Sequence, residues 1–169
     1  MAKFDKIAVL NKIGSTGMVP VFYHKDAEVA KKVVKACYDG GVRAFEFTNR
    51  GDFAQEVFAE IVKYAAKECP EMAIGIGSIV DPATAAMYLQ LGANFVKGLM
   101  APMPWSKLMV TGGVEPSKEN LTAWIKAGVF CVGMGSKLFP KDKVAAEDWA
   151  YVTAKCEEAL SYIAEARKK

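Results

Sequence analysis

Glu46 stands between Phe45 and Phe47 in the run Ala44-Phe45-Glu46-Phe47-Thr48, a carboxylate at the centre of an apolar stretch. In a strand buried on both faces a carboxylate is costly unless paired, and burial raises its affinity for a proton. That is the profile of a general acid/base. The same residue could instead point into a solvated sheet end or be satisfied by Arg50, four residues on. Downstream, Gly75-Ile76-Gly77-Ser78 combines two glycines with a hydroxyl. Glycines there either admit a ligand to the backbone or let a helix pack close. Two further glycine-rich turns follow, Thr111-Gly112-Gly113 and Gly133-Met134-Gly135-Ser136. On successive late strands they suit a phosphate dianion, held by backbone N–H groups and a helix N-terminus. His24 reads as a loop residue with at most a minor substrate contact.

The elements that must position these residues alternate strand and helix. Apolar runs at Met18–Tyr23, Ala44–Thr48, Ala73–Val80, Ala93–Val96, Lys107–Thr111 and Val129–Gly135 read as strands. Between them lie segments of helical period, such as Ala30, Val33, Val34 and Cys37 at i, i+3, i+4 and i+7. Asp26, Asp52, Asp81 and Ser117 are expected N-caps, with Pro82 at a first helical position. Gly40-Gly41, Pro70, Gly92 and Gly128 are expected helix stops, and a final helix is expected from about Ala145 to Ala166. Gly41-Val42-Arg43-Ala44-Phe45, Gly92-Ala93-Asn94-Phe95-Val96 and Gly128-Val129-Phe130-Cys131-Val132 form a weak internal repeat, each a glycine leading into a strand. Such alternation implies a parallel sheet flanked by helices, with its chemistry at the carboxyl ends of the strands.

The bulk numbers exclude several classes. With 22 basic and 19 acidic residues the net charge is +3, too small for a nucleic-acid footprint, and the Arg167-Lys168-Lys169 end reads as solvated. Hydrophobic residues make up 52% of the chain and charged residues 24%, a globular mix without the apolar run a membrane span requires. Cys37, Cys69, Cys131 and Cys156 form no CxxC pair and have no histidine near them in sequence. No metal site is expected, therefore, but buried reduced thiols and a cytoplasmic location are. The eight methionines read as core filler.

Gly40 to Arg50, then Gly75-Ile76-Gly77-Ser78-Ile79, then Thr111-Gly112-Gly113-Val114, then Gly133-Met134-Gly135-Ser136 occur in an order that resembles the bacterial 2-keto-3-deoxy-6-phosphogluconate / 4-hydroxy-2-oxoglutarate aldolases. The resemblance covers nearly the whole chain. It implies a (β/α)8 TIM-barrel fold and a class I aldolase that releases pyruvate from a phosphorylated keto sugar acid through a lysine imine, with no cofactor, usually as a homo-trimer. It further implies that Glu46 is the general acid/base, that Arg50 and Ser78 bind the pyruvate carboxylate, and that Thr111, Gly112, Gly113 and Ser136 hold the phosphate. Ser78 stands where the family more commonly has threonine.

The family's lysine lies on its sixth strand in a Lys-Val-Phe-Pro or Lys-Phe-Phe-Pro setting, and this chain has no such motif. At 169 residues it is short for a closed eight-fold barrel, which typically needs ~250. The shortage localises to one join. Ala93-Asn94-Phe95-Val96 reads as the start of the fourth strand, and Lys97-Gly98-Leu99-Met100 as the helix before the family's seventh. About two βα units, on the order of 50 residues, are absent there. The reading is one α/β-barrel-type domain over 1–169 with an internal deletion near 96–97, showing about six of the eight units, and Lys97 as a surface helix lysine. The alternatives are an inactive truncated or engineered barrel that keeps the phosphate site, and an open doubly wound phosphate-binding domain.

Overall fold

The apolar runs and the helical segments between them form six parallel strands and seven helices among the described residues, which in the computed structural model are 2–79, 81–98, 109–127 and 129–168. In chain order these are α1 (Lys6–Thr16), β1 (Met18–Phe22), α2 (Ala27–Asp39), β2 (Ala44–Thr48), α3 (Ala54–Glu68), β3 (Ala73–Ile79), α4 (Pro82–Gln90), β4 (Val96–Gly98), β5 (Met109–Val110), α5 (Lys118–Lys126), β6 (Cys131–Met134), α6 (Lys141–Ala145) and α7 (Trp149–Arg167). The caps are local chemistry. Asp26 accepts the Glu28 N–H at 2.8 Å, Asp81 the Thr84 N–H at 2.8 Å, and Ser117 the Asn120 N–H at 3.4 Å. Gly41, at φ 90, turns the chain out of α2 into β2.

Four expectations need correction. Asp52 does not cap α3, because the chain turns tightly at Gly51 and the helix begins after Phe53, at φ 57 and without a side-chain cap. Lys97 is not on a helix. It lies in β4, where Val96 and Gly98 pair with Ile76 and Ile79 of β3. The last helix starts at Trp149, with the short α6 before it. Finally, α1 was not foreseen. Its Asp5 cap accepts the Ala8 N–H at 2.7 Å, but only Val9 is buried, too narrow a stripe to read. The expected Gly128 stop, the end of the third strand at Val80, the stretch from Leu99 to Ser106 and the start of the fifth strand at 107–108 lie outside the described residues.

The sheet order is β4-β3-β2-β1-β6-β5, and every pairing is parallel. Read cyclically this is 5-6-1-2-3-4, one continuous circuit in which the last strand pairs with the first. A doubly wound sheet instead reverses direction at a switch point. Among the described residues the circuit is open between β4 and β5, the place where the sequence join falls.

The two faces have different contents. Phe45 and Phe47 point outward into the main core, with Val33, Val34 and Cys37 of α2, Phe58 and Ile61 of α3, and Val152, Cys156 and Ile163 of α7. The inward face holds a small plug of Val19, Ala44 and Cys131, packed by Ile13, Phe95, Met109 and Phe130. Phe95 borders one sheet edge and Met109 lies on the other, yet both reach this plug, which gives the sheet its curl into a half-barrel. All four thiols are buried, as expected, and none is joined in a disulfide among the described residues. Burial pushes the Cys37 thiol up, aided by Cys156 beside it, and Cys69 up to about 11, so these sulfurs stay protonated. No described helix is long and apolar enough to cross a membrane.

Candidate active site

Strand alternation decides which side chains reach the inside of the curl. In β2, Phe45 and Phe47 face the helices, so Ala44, Glu46 and Thr48 face inward. Ala44 closes the floor, and Glu46 and Thr48, each 2% exposed, stand above it as the buried polar residues of the core. Above the plug opens a cavity of about 940 Å³, within the usual range of small-molecule sites. Glu46, Thr48, Arg50, Thr111, Gly113 and Ser136 line it, together with Tyr23 and His24 from the end of β1. Residues at the carboxyl ends of β1, β2, β5 and β6 thus meet in one place, as parallel α/β sheets dictate.

Glu46 is seated by an absence. A Cβ on Gly77 of the neighbouring strand would lie 2.0 Å from Glu46 Oε1 and 2.6 Å from its Cδ, so only glycine at 77 leaves the carboxylate this position. Gly75 likewise makes room for Phe95, whose ring would lie 2.3 Å from a Cβ there. The ligand-access reading of these two glycines is therefore replaced: their space is filled by side chains of the chain itself.

Arg50 donates from Nε to Ser78 Oγ at 3.0 Å, so the two residues expected at the carboxylate end do meet. Ser78 holds a left-handed backbone, φ 62, opposite the register irregularity between β3 and β4. That conformation is uncommon for a residue with a side chain, and it turns the hydroxyl to Arg50. Ser78 is not among the residues lining the cavity; it reaches the site through Arg50.

The opposite wall is built from the turn after β5 and the turn after β6. Thr111 lies over Gly133, where a Cβ would come within 2.4 Å of its Cγ2. Gly113, at φ 69, needs its glycine for the backbone alone. Its carbonyl accepts from Asn120 Nδ2 at 3.1 Å and Trp124 Nε1 at 3.5 Å, which ties the turn to α5. Side chains added at Gly112 or Gly113 would meet nothing within 4 Å among the described residues. Beyond β6, Leu138 and Phe139 both donate to the Gly135 carbonyl and close a tight turn that presents Ser136.

Several lining residues went unread in the sequence. Lys137 pairs with Glu115 at 3.3 Å, Glu147 pairs with Lys32 at 2.7 Å, and Lys141 joins them on the rim. These sit on the irregular segment around α6, which has no periodicity to follow. His24 is more than a loop residue. It lines the cavity, its ring stacks on Phe22 at 6.3 Å, and its Nδ1 accepts the Asp26 N–H at 3.0 Å. Among the described residues no group of His, Cys, Asp or Glu could hold a metal ion.

A parallel sheet in barrel order, with an acid on its inward face and a hydroxyl-and-glycine wall opposite, defines an α/β-barrel-type enzyme site. The chain belongs to the KDPG and KHG aldolase family, whose model matches residues 9–98. It is 26% identical to the KHG/KDPG aldolase of Escherichia coli strain K12 over 198 aligned positions, covering 85% of this chain and 90% of that protein. It is 25% identical over 217 positions to the 2-dehydro-3-deoxy-phosphogluconate aldolase of Pseudoalteromonas atlantica, covering 95% and 98%. The fold matches the crystal structure of KDPG aldolase from Legionella pneumophila at a TM-score of 0.71 and 17% identity, over 89% of this chain and 97% of that one. In that crystal pyruvate is captured at low pH as a covalent carbinolamine intermediate.

Proposed function

We propose that this chain is a class I aldolase that cleaves 2-keto-3-deoxy-6-phosphogluconate to pyruvate and glyceraldehyde 3-phosphate. The observation that carries the reading is the Glu46 carboxylate, buried over Gly77 on the inward wall of a cavity with Arg50 and Ser78 at one side and the Thr111–Gly113 and Ser136 turns at the other. That spacing suits a substrate with a carboxylate at one end, a ketone in the middle and a phosphate at the far end. Arg50 and Ser78 bind the carboxylate. Thr111, Gly112, Gly113 and Ser136 take the phosphate.

The chemistry runs through an amine. An amine adds to the keto carbon to give a carbinolamine, the kind of intermediate captured in the Legionella crystal, and loss of water leaves a protonated imine; because this chain lacks the family's lysine motif, another of its lysines must supply that amine. Removal of the C4 hydroxyl proton breaks the C3–C4 bond, and its electrons flow into the imine to give an enamine plus the aldehyde. Protonation at C3 and hydrolysis then release pyruvate and restore the amine. Glu46 moves these protons through a water.

The internal deletion is part of the proposal, and the alignment lengths support it. Of 198 positions matched to the Escherichia coli protein, 85% of 169 residues fills about 144, which leaves about 54 without a counterpart in this chain. The family's lysine setting is missing with them. We propose that the chain is a single domain over 1–169, that its short edge strands β4 and β5 associate with further copies, in a trimer by the family's pattern, and that it works in the cytoplasm. The test is pyruvate release from 2-keto-3-deoxy-6-phosphogluconate, which Glu46→Gln should slow by ~10²–10⁴. Binding of phosphate esters without any release would contradict the aldolase reading and favour the inactive barrel.

A further inference from the structure

The carboxylate end is held from behind by a residue outside the cavity lining. Tyr88 of α4 is fully buried, its ring set edge-on to Phe58 at 5.1 Å, and its hydroxyl donates to Asn49 Oδ1 at 2.8 Å. Asn49 is the first residue after β2, and its own N–H donates to the Gly77 carbonyl at 2.9 Å. Arg50 comes next, its N–H returned to the Thr48 carbonyl at 3.0 Å and its Nε bonded to Ser78. On the other side the Tyr23 hydroxyl fills the place of a Gly51 side chain. The turn 49–51 is thus clamped between α4 and β1. From this turn Arg50 reaches across to Ser78 of β3.

We infer that Tyr88 is a positioning residue: through Asn49 it fixes the turn that aims Arg50 at the substrate carboxylate. This rests on the proposal that Arg50 binds that carboxylate. The phenol suits the task because burial pushes its pKa up to about 12, so it remains a hydrogen-bond donor across the working range. The half-buried Asn–Tyr bond also carries direction that two apolar side chains could not supply, since hydrogen bonds are angular and dispersion contacts are not.

Tyr88→Phe should raise KM for the keto acid, or the Kd of pyruvate, about fivefold, the usual effect of one lost hydrogen bond, with kcat within about twofold. The variant also strands the Asn49 amide, so stability will fall. The double variant Tyr88→Phe with Asn49→Leu removes both polar partners and should recover the Tm while KM stays high. A KM that returns to wild type together with the Tm would show a merely structural role and overturn the inference, as would an unchanged KM in Tyr88→Phe. Arg50→Ala separates the two claims. If it raises KM while Tyr88→Phe is silent, the inference alone fails; if it leaves KM unchanged, the anchor role of Arg50 fails and the inference with it.

Discussion

The two walls of the cavity use glycine for opposite purposes. On the β2–β3 wall the space beside Gly75 and Gly77 is filled by Phe95 and by the Glu46 carboxylate, so these glycines shape the enzyme's own interior. On the turn after β5 the space beside Gly112 and Gly113 is open among the described residues. One wall is preorganised by packing, which fixes an acid against a low-dielectric floor. The other is a backbone surface that, on the reading proposed above, receives an anion. Identical residue types, read from sequence as one kind of signal, therefore divide into glycines whose space the chain fills and glycines whose space it leaves open.

The division can be broken, starting with the largest effect. Glu46→Gln keeps the shape of the packed wall and removes its proton chemistry. Turnover should fall by ~10²–10⁴ with KM nearly unchanged, measured on the cleavage reaction. Gly77→Ala puts a methyl group against that carboxylate without touching its chemistry. It should cost about 10² in turnover through misplacement, and ~1–3 kcal/mol of stability in a denaturant titration. A variant as active and stable as wild type would mean that Glu46 is not seated by Gly77.

Gly112→Ala tests the open wall. Its stability should change by no more than ~0.5 kcal/mol, because the added methyl meets nothing. KM for the phosphorylated substrate should rise about tenfold while the Kd of pyruvate holds, which isothermal calorimetry can read. An equal loss on both ligands would place the turn at the carboxylate end instead. The smallest effect concerns the frame. Hydrogen bonds from Thr84, side chain first and then backbone, hold the Asp81 carboxyl below its ordinary value of 3.8 at the start of α4, the helix that carries Tyr88. Its contribution to stability is present above that value and fades as pH falls through the lowered one. Asp81→Asn should therefore reduce the Tm at neutral pH slightly and leave the strongly acidic end of the Tm–pH curve unchanged.

Much of this was legible in the sequence. Apolar runs separated by helical stripes announced the parallel α/β fold, and Asp26, Asp81 and Ser117 announced their helix starts through cap chemistry that needs only neighbouring residues. Glu46 betrayed itself as a carboxylate at an apolar centre. The barrel order of the sheet, by contrast, depends on β1 pairing with β6, a contact between residues more than a hundred positions apart. Which glycine would be filled and which left open depends on the partner strand's side chain, as Glu46 over Gly77 shows. Tyr88 carried no signal in the sequence, since its bond to Asn49 crosses from α4 to the end of β2. Lys137 lies on irregular chain and Lys141 opens the five-residue α6, too short for a period to point to the cavity.

The account stands on an imine. Incubating the protein with pyruvate and borohydride, then weighing and peptide-mapping the product, tests it most directly. The account predicts one reduced pyruvate adduct per chain, on a single lysine. A chain that takes up no adduct at any lysine would contradict it.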